Sequence, residues 1–174
     1  MAVMEWTIRS AGRADRIAIL EVIVDAFTDD ARDGREEIDI VVATWGGRPD
    51  VERCELVAEF DGLVVGHVLA AAGDLAGTDV VGVAPLSVAK SQQGRGIGSG
   101  LMRELIRRTE VAGIPLLVVL GDPDYYGRFG FEQASEFGIH DPPVGAGNPQ
   151  FMVRRLEAFD PHLHGAFTYC WETR

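Results

Sequence analysis

Three glycines at alternate positions, in the run Gln93-Gly94-Arg95-Gly96-Ile97-Gly98, place the tightest local constraint on how this chain can fold. The residues before them, Leu86-Ser87-Val88-Ala89, read as the end of an apolar strand. After them Ile97, Leu101, Met102, Leu105 and Ile106 recur at helical spacing, while Arg103, Glu104, Arg107 and Arg108 fall on the opposite side. Glycines lack the Cβ that would block a tight turn, so the main chain can reverse here and bring its amides close to a ligand. The helix beyond offers unpaired N–H groups and the positive end of its dipole. A strand, a glycine turn and a helix in this order form an anion pocket suited to a phosphate or pyrophosphate.

The spacing narrows the ligand. A P-loop needs Lys-Ser/Thr after its last glycine, and no lysine follows these. A dinucleotide fingerprint needs Gly-x-Gly-x-x-Gly, whereas the order here is Gly94-x-Gly96-x-Gly98-x-Gly100. Neither nucleotide class fits.

The rest of the chain alternates between the two structural periods. Thr7 to Arg9 reads as a first strand. Ile17, Leu20, Ile23, Val24 and Phe27, then Ile38, Val41, Val42 and Trp45, mark two helices, the second ended by Gly46, Gly47 and Pro49. Glu55 to Phe60 and Leu63 to Ala71 read as a hairpin joined by Asp61-Gly62. A further strand runs from about Asp79 to Ala89, and Pro85 within it predicts a bulge or an edge. Leu116 to Leu120 suits a strand buried on both faces. Asp122-Pro123 starts a short helix carrying Tyr125 and Tyr126. Phe131 to Ile139, Phe151 to Leu156 and Phe167 to Trp171 are weaker strand candidates. The fold class is α+β, mixed elements around one sheet.

Charge excludes some partners. With a net charge of −11 the chain repels phosphate backbones, so no nucleic-acid partner is expected; the small group Arg103, Arg107 and Arg108 reads as a solvated helix face. No segment reaches the roughly 18 consecutive apolar residues of a membrane span, and Met1 to Gly12 lacks the apolar region of a signal peptide. No membrane partner and a cytoplasmic location are expected. The 174 residues fit one domain, residues 1–174. Cys54 and Cys170 read as buried small hydrophobes, and His162-x-His164 near Asp160 as a solvated loop, so no metal is expected.

Two motifs carry a resemblance. Gln93-x-x-Gly96-x-Gly98 is similar to the Gln/Arg-x-x-Gly-x-Gly/Ala signature of the GCN5-related N-acetyltransferases, the GNAT superfamily, and Tyr126-Gly127-Arg128-Phe129-Gly130-Phe131 resembles its downstream Tyr-x-x-x-Gly-Phe segment. Pro85-Leu86-x-Val88 and Gly121-Asp122-Pro123-x-Tyr125-Tyr126 bring the likeness closer to a bacterial branch called YhbS-like. The resemblance implies a mostly antiparallel sheet of about six to seven strands, splayed at strands 4 and 5 and flanked by about four helices. It implies that acetyl-CoA is the cosubstrate, bound through the amides of Gly94, Arg95, Gly96, Ile97, Gly98 and Ser99, with Gln93 in the same turn. Leu86, Ser87 and Val88 would pair with the pantetheine arm. The Val88 N–H would face the thioester oxygen, and Tyr126 would donate a proton to the departing thiolate. The implied reaction is transfer of an acetyl group to a primary amine of a small molecule or peptide, by direct attack in a ternary complex.

Some matters stay open at this level. Glu59, Asp61, His67 and Asp79 are candidates for the base that deprotonates the amine, with Asp61 better explained by its turn and His67 by a core position. Asp29, Asp30, Asp33, Glu36 and Glu37 form an acidic stretch that would favour a cationic amine or merely coat a loop. A non-catalytic acyl-CoA sensor is the alternative function, and a homodimer is left open.

Overall fold

The computed structural model describes residues 5–47, 53–143, 145 and 147–170. Pro49 and Trp171, read above as parts of a helix stop and a last strand, lie outside the described residues. Among the described residues there are nine strands: β1 (Thr7–Ser10), β2 (Arg53–Phe60), β3 (Leu63–Leu75), β4 (Thr78–Val88), β5 (Leu116–Leu120), β6 (Glu132–Gln133), β7 (Ile139–His140), β8 (Phe151–Arg155) and β9 (Gly165–Tyr169). Four α-helices accompany them: α1 (Arg16–Phe27), α2 (Arg35–Gly46), α3 (Ile97–Val111) and α4 (Pro123–Tyr126).

The sheet order is β1-β2-β3-β4-β5-β8-β6, with β9 on β3 and β7 on β9. Pairing is antiparallel except between β4 and β5 and between β7 and β9. Nine strands exceed the expected six to seven, and the segment read as one strand from Phe131 breaks into β6, a 3₁₀ turn at Ala134–Phe137, and β7.

The β4–β5 pair is short. Only Val81, Gly82 and Val83 meet Leu117, Val118 and Val119. On the other edge of β4, the register with β3 slips between Val68 and Ala70, so that Leu69 opposes both Ala84 and Pro85. This is the bulge that Pro85 foretold, and beyond it β4 diverges from β5 while staying paired to β3 through Leu86, Ser87 and Val88. The sheet opens into a V.

Helix α3 covers one face of the sheet with the stripe read from the sequence: Ile97, Leu101, Met102, Leu105 and Ile106 are all buried against Leu56, Ala58, Val68 and Val83. Helices α1 and α2 cover the other face. Here the expected stripes are corrected. Ile17 is 73% exposed, with Val24 and Val42 exposed as well, whereas Ile19, Val22, Ile23 and Val41 are buried. Ile, Leu and Val occur on nearly every side of α1, so its apolar pattern does not define a phase, and the packing against Val57 and Leu69 chooses it.

Two turns hold the central hairpins. Asp61-Gly62 has positive φ at both residues (51° and 75°), as a tight two-residue hairpin requires. Ala76-Gly77 does the same (50° and 86°) and extends β3 and β4 past the limits read from sequence, because alanine in the left-handed region gives no turn signal. Beyond the end of β2 opposite Ala71, β9 takes over the free edge of β3 at Gly73–Leu75. Its Phe167 and Tyr169 rings press on Gly73 and Gly82, where any Cβ would overlap them.

Candidate active site

The V between β4 and β5 is one wall of a cleft of about 590 Å³. Leu86 and Val88 line it from β4, the turn from Gln93 to Ser99 closes its end, and Tyr125, Tyr126 and Arg128 face them from the segment after β5. Of the residues expected at the site, Gln93, Gly94, Gly96, Ile97, Gly98 and Ser99 line this cleft together with Leu86, Val88 and Tyr126. Arg95 is exposed and Ser87 is buried at 2%, and neither side chain lines it.

The turn is built to leave its amides open. Gly94 and Gly96 hold φ of 75° and 84°, the left-handed region, and Gly96 is the N-cap of α3. Gln93 N donates to Lys90 O, and Gly100 N donates to Gly96 O. The six amides between them, Gly94 to Ser99, have no acceptor among the described residues. This is the arrangement that favours an anion at a helix start. Lys90 ties the approach to the turn down: its N–H donates to Asp25 Oδ2 at 2.7 Å, and its ammonium donates to Thr28 O at the end of α1.

The end of β4 also has main chain to spare. Ala89 N donates to Val65 O at 2.9 Å across the β3 edge. In an alternating antiparallel ladder the preceding residue then aims its N–H the other way, which at Val88 is into the cleft. The Val88 carbonyl on that side accepts from Gln93 Nε2 at 3.0 Å, so the first residue of the glycine motif fixes the strand end.

The two tyrosines divide their work. Asp122 caps α4 by accepting from Asp124 N at 2.9 Å, which starts the helix where Asp122-Pro123 placed it. Tyr126 is half-buried, its ring edge-on to Phe131 and close against Gly121. Burial and then the neighbouring Tyr125 push its phenol well above the ordinary value, so it is a protonated donor over the working pH range. Tyr125 was not expected to take part, yet its hydroxyl reaches the glycine turn near Ser99, filling the place of a Gly98 side chain. Arg128 lies over the Tyr125 ring at 4.5 Å. Gln92 was also missed: it lines the cleft with a buried Oε1 that has no partner. Tyr125 stood in the run from Gly121 to Tyr126 quoted above without a role of its own, and only the adjacency of Gln92 to Gln93 pointed to that residue.

The acceptor-side candidates are scattered. Glu59 is tied to Arg9 at 3.0 Å, Asp61 sits in the β2–β3 turn, and Asp79 is exposed beside the Ala76-Gly77 turn. His67 alone is interior, 0% exposed, with Nε2 3.0 Å from Glu55 Oε1. The acidic stretch spends much of its charge locally. Asp29 accepts from the amides of Ala31 and Arg32 and pairs with the Arg32 guanidinium, and Asp33 pairs with Arg35. The three arginines of α3 are likewise engaged: Arg107 and Arg108 pair with Glu104, and Arg103 lies over Phe129. Neither cysteine is in a disulfide among the described residues, both are half-buried, and burial raises their thiols. Among the described residues no three His, Cys, Asp or Glu side chains converge as metal ligands, and no helix is long and apolar enough to cross a membrane.

Known proteins share both the sequence and the architecture. The family profile described as Acetyltransferase (GNAT) domain matches residues 52–133. The uncharacterized N-acetyltransferase YhbS of Escherichia coli is 41% identical over 113 residues, 63% of this chain and 66% of YhbS, so the aligned stretch spans just under two thirds of that relative. The crystal structure of YhbS in complex with CoA superimposes with a TM-score of 0.79, at 28% identity over 97% of this chain and 92% of that one. A GNAT acetyltransferase from Brucella melitensis in complex with acetyl-CoA gives 0.71, at 28% identity over 95% and 96% of the two chains. YjhQ of Escherichia coli, another uncharacterized N-acetyltransferase, is 30% identical over 97% of this chain and 100% of its own length. A cleft walled by splayed strands and closed by a glycine turn of open amides, with relatives matched over nearly the full chain, identifies this protein as a YhbS-like member of the GNAT acetyltransferase family.

Proposed function

We propose that residues 1–174 form one acyl-CoA N-acyltransferase domain that works in the cytoplasm and moves the acetyl group of acetyl-CoA to a primary amine of a small molecule or peptide. The observation that carries this reading is the run of six open amides from Gly94 to Ser99 at the mouth of the β4–β5 cleft. Amides of this kind suit the cosubstrate's pyrophosphate, and the solved relatives with CoA and acetyl-CoA support that choice of ligand.

Each residue then has a task. The unpaired edge of Leu86, Ser87 and Val88 takes the amide-bearing pantetheine arm as a neighbouring strand. The Val88 N–H faces the thioester oxygen and steadies the negative charge that develops as the amine attacks, a contact of the sort worth about 3 kcal/mol. Gln93 keeps that amide aimed by holding the Val88 carbonyl. Tyr126 supplies a proton to the leaving thiolate, and burial keeps it loaded for that step. Attack is direct, because neither cysteine lines the cleft.

The test is a panel of amines assayed for thiol release from acetyl-CoA. Turnover with at least one amine, with mass spectrometry locating the acetyl group on nitrogen, is the expected result. Tight CoA binding with no amine acetylated would replace an enzyme with a sensor.

A further inference from the structure

The chain holds 27 Asp and Glu against 16 Lys and Arg, so an arginine seldom lacks a carboxylate for want of supply. Arg9, Arg32, Arg35, Arg107, Arg108 and Arg155 each pair with one. Arg103 and Arg128 pair with none among the described residues. Both are laid against aromatic rings instead. Arg128 stands 4.5 Å over Tyr125 and 5.6 Å from the centre of Phe129, and Arg103 stands 5.8 Å from the same Phe129. Glu104, beside Arg103 in sequence, is spent on Arg107 and Arg108. On α4, Asp122 caps its own helix and the exposed Asp124 makes no ion pair with Arg128. A guanidinium held by its face keeps its in-plane N–H groups for other acceptors. Arg128 uses only Nε, which donates to Tyr125 O at 3.2 Å.

These two cations meet at the mouth of the β4–β5 cleft. Arg128 lines it. Arg103 follows Ser99, another lining residue, by four positions on α3, so it continues the same helix face about 6 Å further along. Burial raises the Tyr125 phenol, while Arg128 and Arg103 both draw it down, so both charges act on the hydroxyl that stands beside Gly98. Arg95 differs from the pair: it is exposed on the turn itself, does not line the cleft and rests on no ring among the described residues.

We propose that Arg103 and Arg128 hold the 3′-phosphate on the ribose of CoA, so that the enzyme selects the 3′-phosphorylated cosubstrate over dephospho-CoA, an inference that rests on the CoA site proposed above. The open amides from Gly94 to Ser99 suit the diphosphate. CoA also carries a phosphomonoester, one ribose away from that diphosphate and bearing about −1.5 to −2 of charge at neutral pH. Neutral amides already committed to one phosphate group offer little to a second. The pair of arginines, one helical turn beyond Ser99, supplies full positive charge and forked donors, which is what a phosphomonoester takes. Both side chains are exposed, as suits a phosphate that keeps part of its water at the cleft mouth.

The experiment measures Kd for CoA and for dephospho-CoA by titration calorimetry, with the full chain and with Arg103→Gln, Arg128→Gln and the double variant. Arg107→Gln, which removes one α3 charge outside the pair, is the control. The wild-type chain should prefer CoA by roughly tenfold or more. Each single variant should lose much of that ratio through weaker CoA binding, and the double variant should bind the two ligands alike. The wild-type ratio should also shrink from about 0.1 M to about 1 M salt, as the screening length falls from roughly 10 Å to 3 Å. Arg107→Gln should keep the ratio; an equal loss there would mark a general effect of charge and overturn the assignment. Equal wild-type affinity for CoA and dephospho-CoA, or variants that keep the wild-type ratio, also overturns it, and leaves the CoA site and acetyl transfer standing. A wild-type chain that binds neither ligand overturns the CoA site as well.

Discussion

The Tyr126 ring lies so close to Gly121 that a side-chain carbon at Gly121 would overlap its Cε2 and Cδ2 atoms. A glycine at the end of β5 thus sets where the proposed proton donor stands. Tyr126→Phe should lower turnover by about 100-fold while CoA affinity holds. Gly121→Ala should lower it by a similar factor with the hydroxyl intact, since displacement of a reacting group by about 1 Å costs that much. Because burial raises the phenol above its ordinary value of 10, Tyr126 stays protonated as pH climbs to that point. Turnover measured to alkaline pH should therefore show no loss traceable to Tyr126 up to there. A Tyr126→Phe enzyme with undiminished turnover would remove the role.

Gly96 separates binding from folding. A Cβ there meets nothing within 4 Å, but φ is 84°. Gly96→Ala should cost about 1–2 kcal/mol of stability through backbone strain. It should weaken CoA by about tenfold or more as well, because the added carbon stands among the amides. Thermal melts with and without CoA read both effects: the CoA-induced rise in Tm should shrink in the variant.

Gly82 tests the closure of the sheet by β9. Its added carbon would collide with the Tyr169 ring, so Gly82→Ala is an overpacking change costing about 1–3 kcal/mol. Denaturant unfolding should show the loss. Gly77→Ala, where nothing lies within 4 Å but φ is 86°, should show only backbone strain.

Two carboxylates set the acid side of stability. Asp15 is held down to about 2, from 3.8, chiefly by its two-pronged bond from Arg9 and then by the Gly12 amide. Glu104 is held to about 2, from 4.5, by Arg107 and Arg108. A carboxyl whose folded value is depressed adds stability above its unfolded value and loses it as pH falls toward the folded one. Asp15→Asn should cost about 1 kcal/mol at neutral pH after allowance for solvent screening. Melts from pH 5 down to about pH 2 should show the gap from wild type closing below 3.8. A gap independent of pH would remove the ion pair as its cause.

What the sequence made readable follows from contrast between neighbouring residues. The α3 stripe was legible because Arg103, Glu104, Arg107 and Arg108 sharply outline its apolar face, while α1 has no such outline and its phase is set by β2 and β3. The Asp61-Gly62 turn announces itself; Ala76-Gly77 makes the same turn silently. At the site, the glycine turn, the Pro85 bulge and the α4 cap were legible because each depends on backbone rules attached to one residue type. The contacts Gly121–Tyr126, Gly98–Tyr125 and Glu55–His67 were not, because each is a side-chain meeting set by how helix and strand pack rather than by a rule attached to one residue type.

The divergence of β4 from β5 leaves the cleft furnished mainly with peptide groups, which every sequence possesses. Point substitutions on this wall change volume and greasiness but leave the hydrogen-bonding script untouched. Over evolutionary time the handle grasped by the protein would stay constant whatever side chains stood along β4. Conservatism among such enzymes should therefore gather around the turn that follows Ala89.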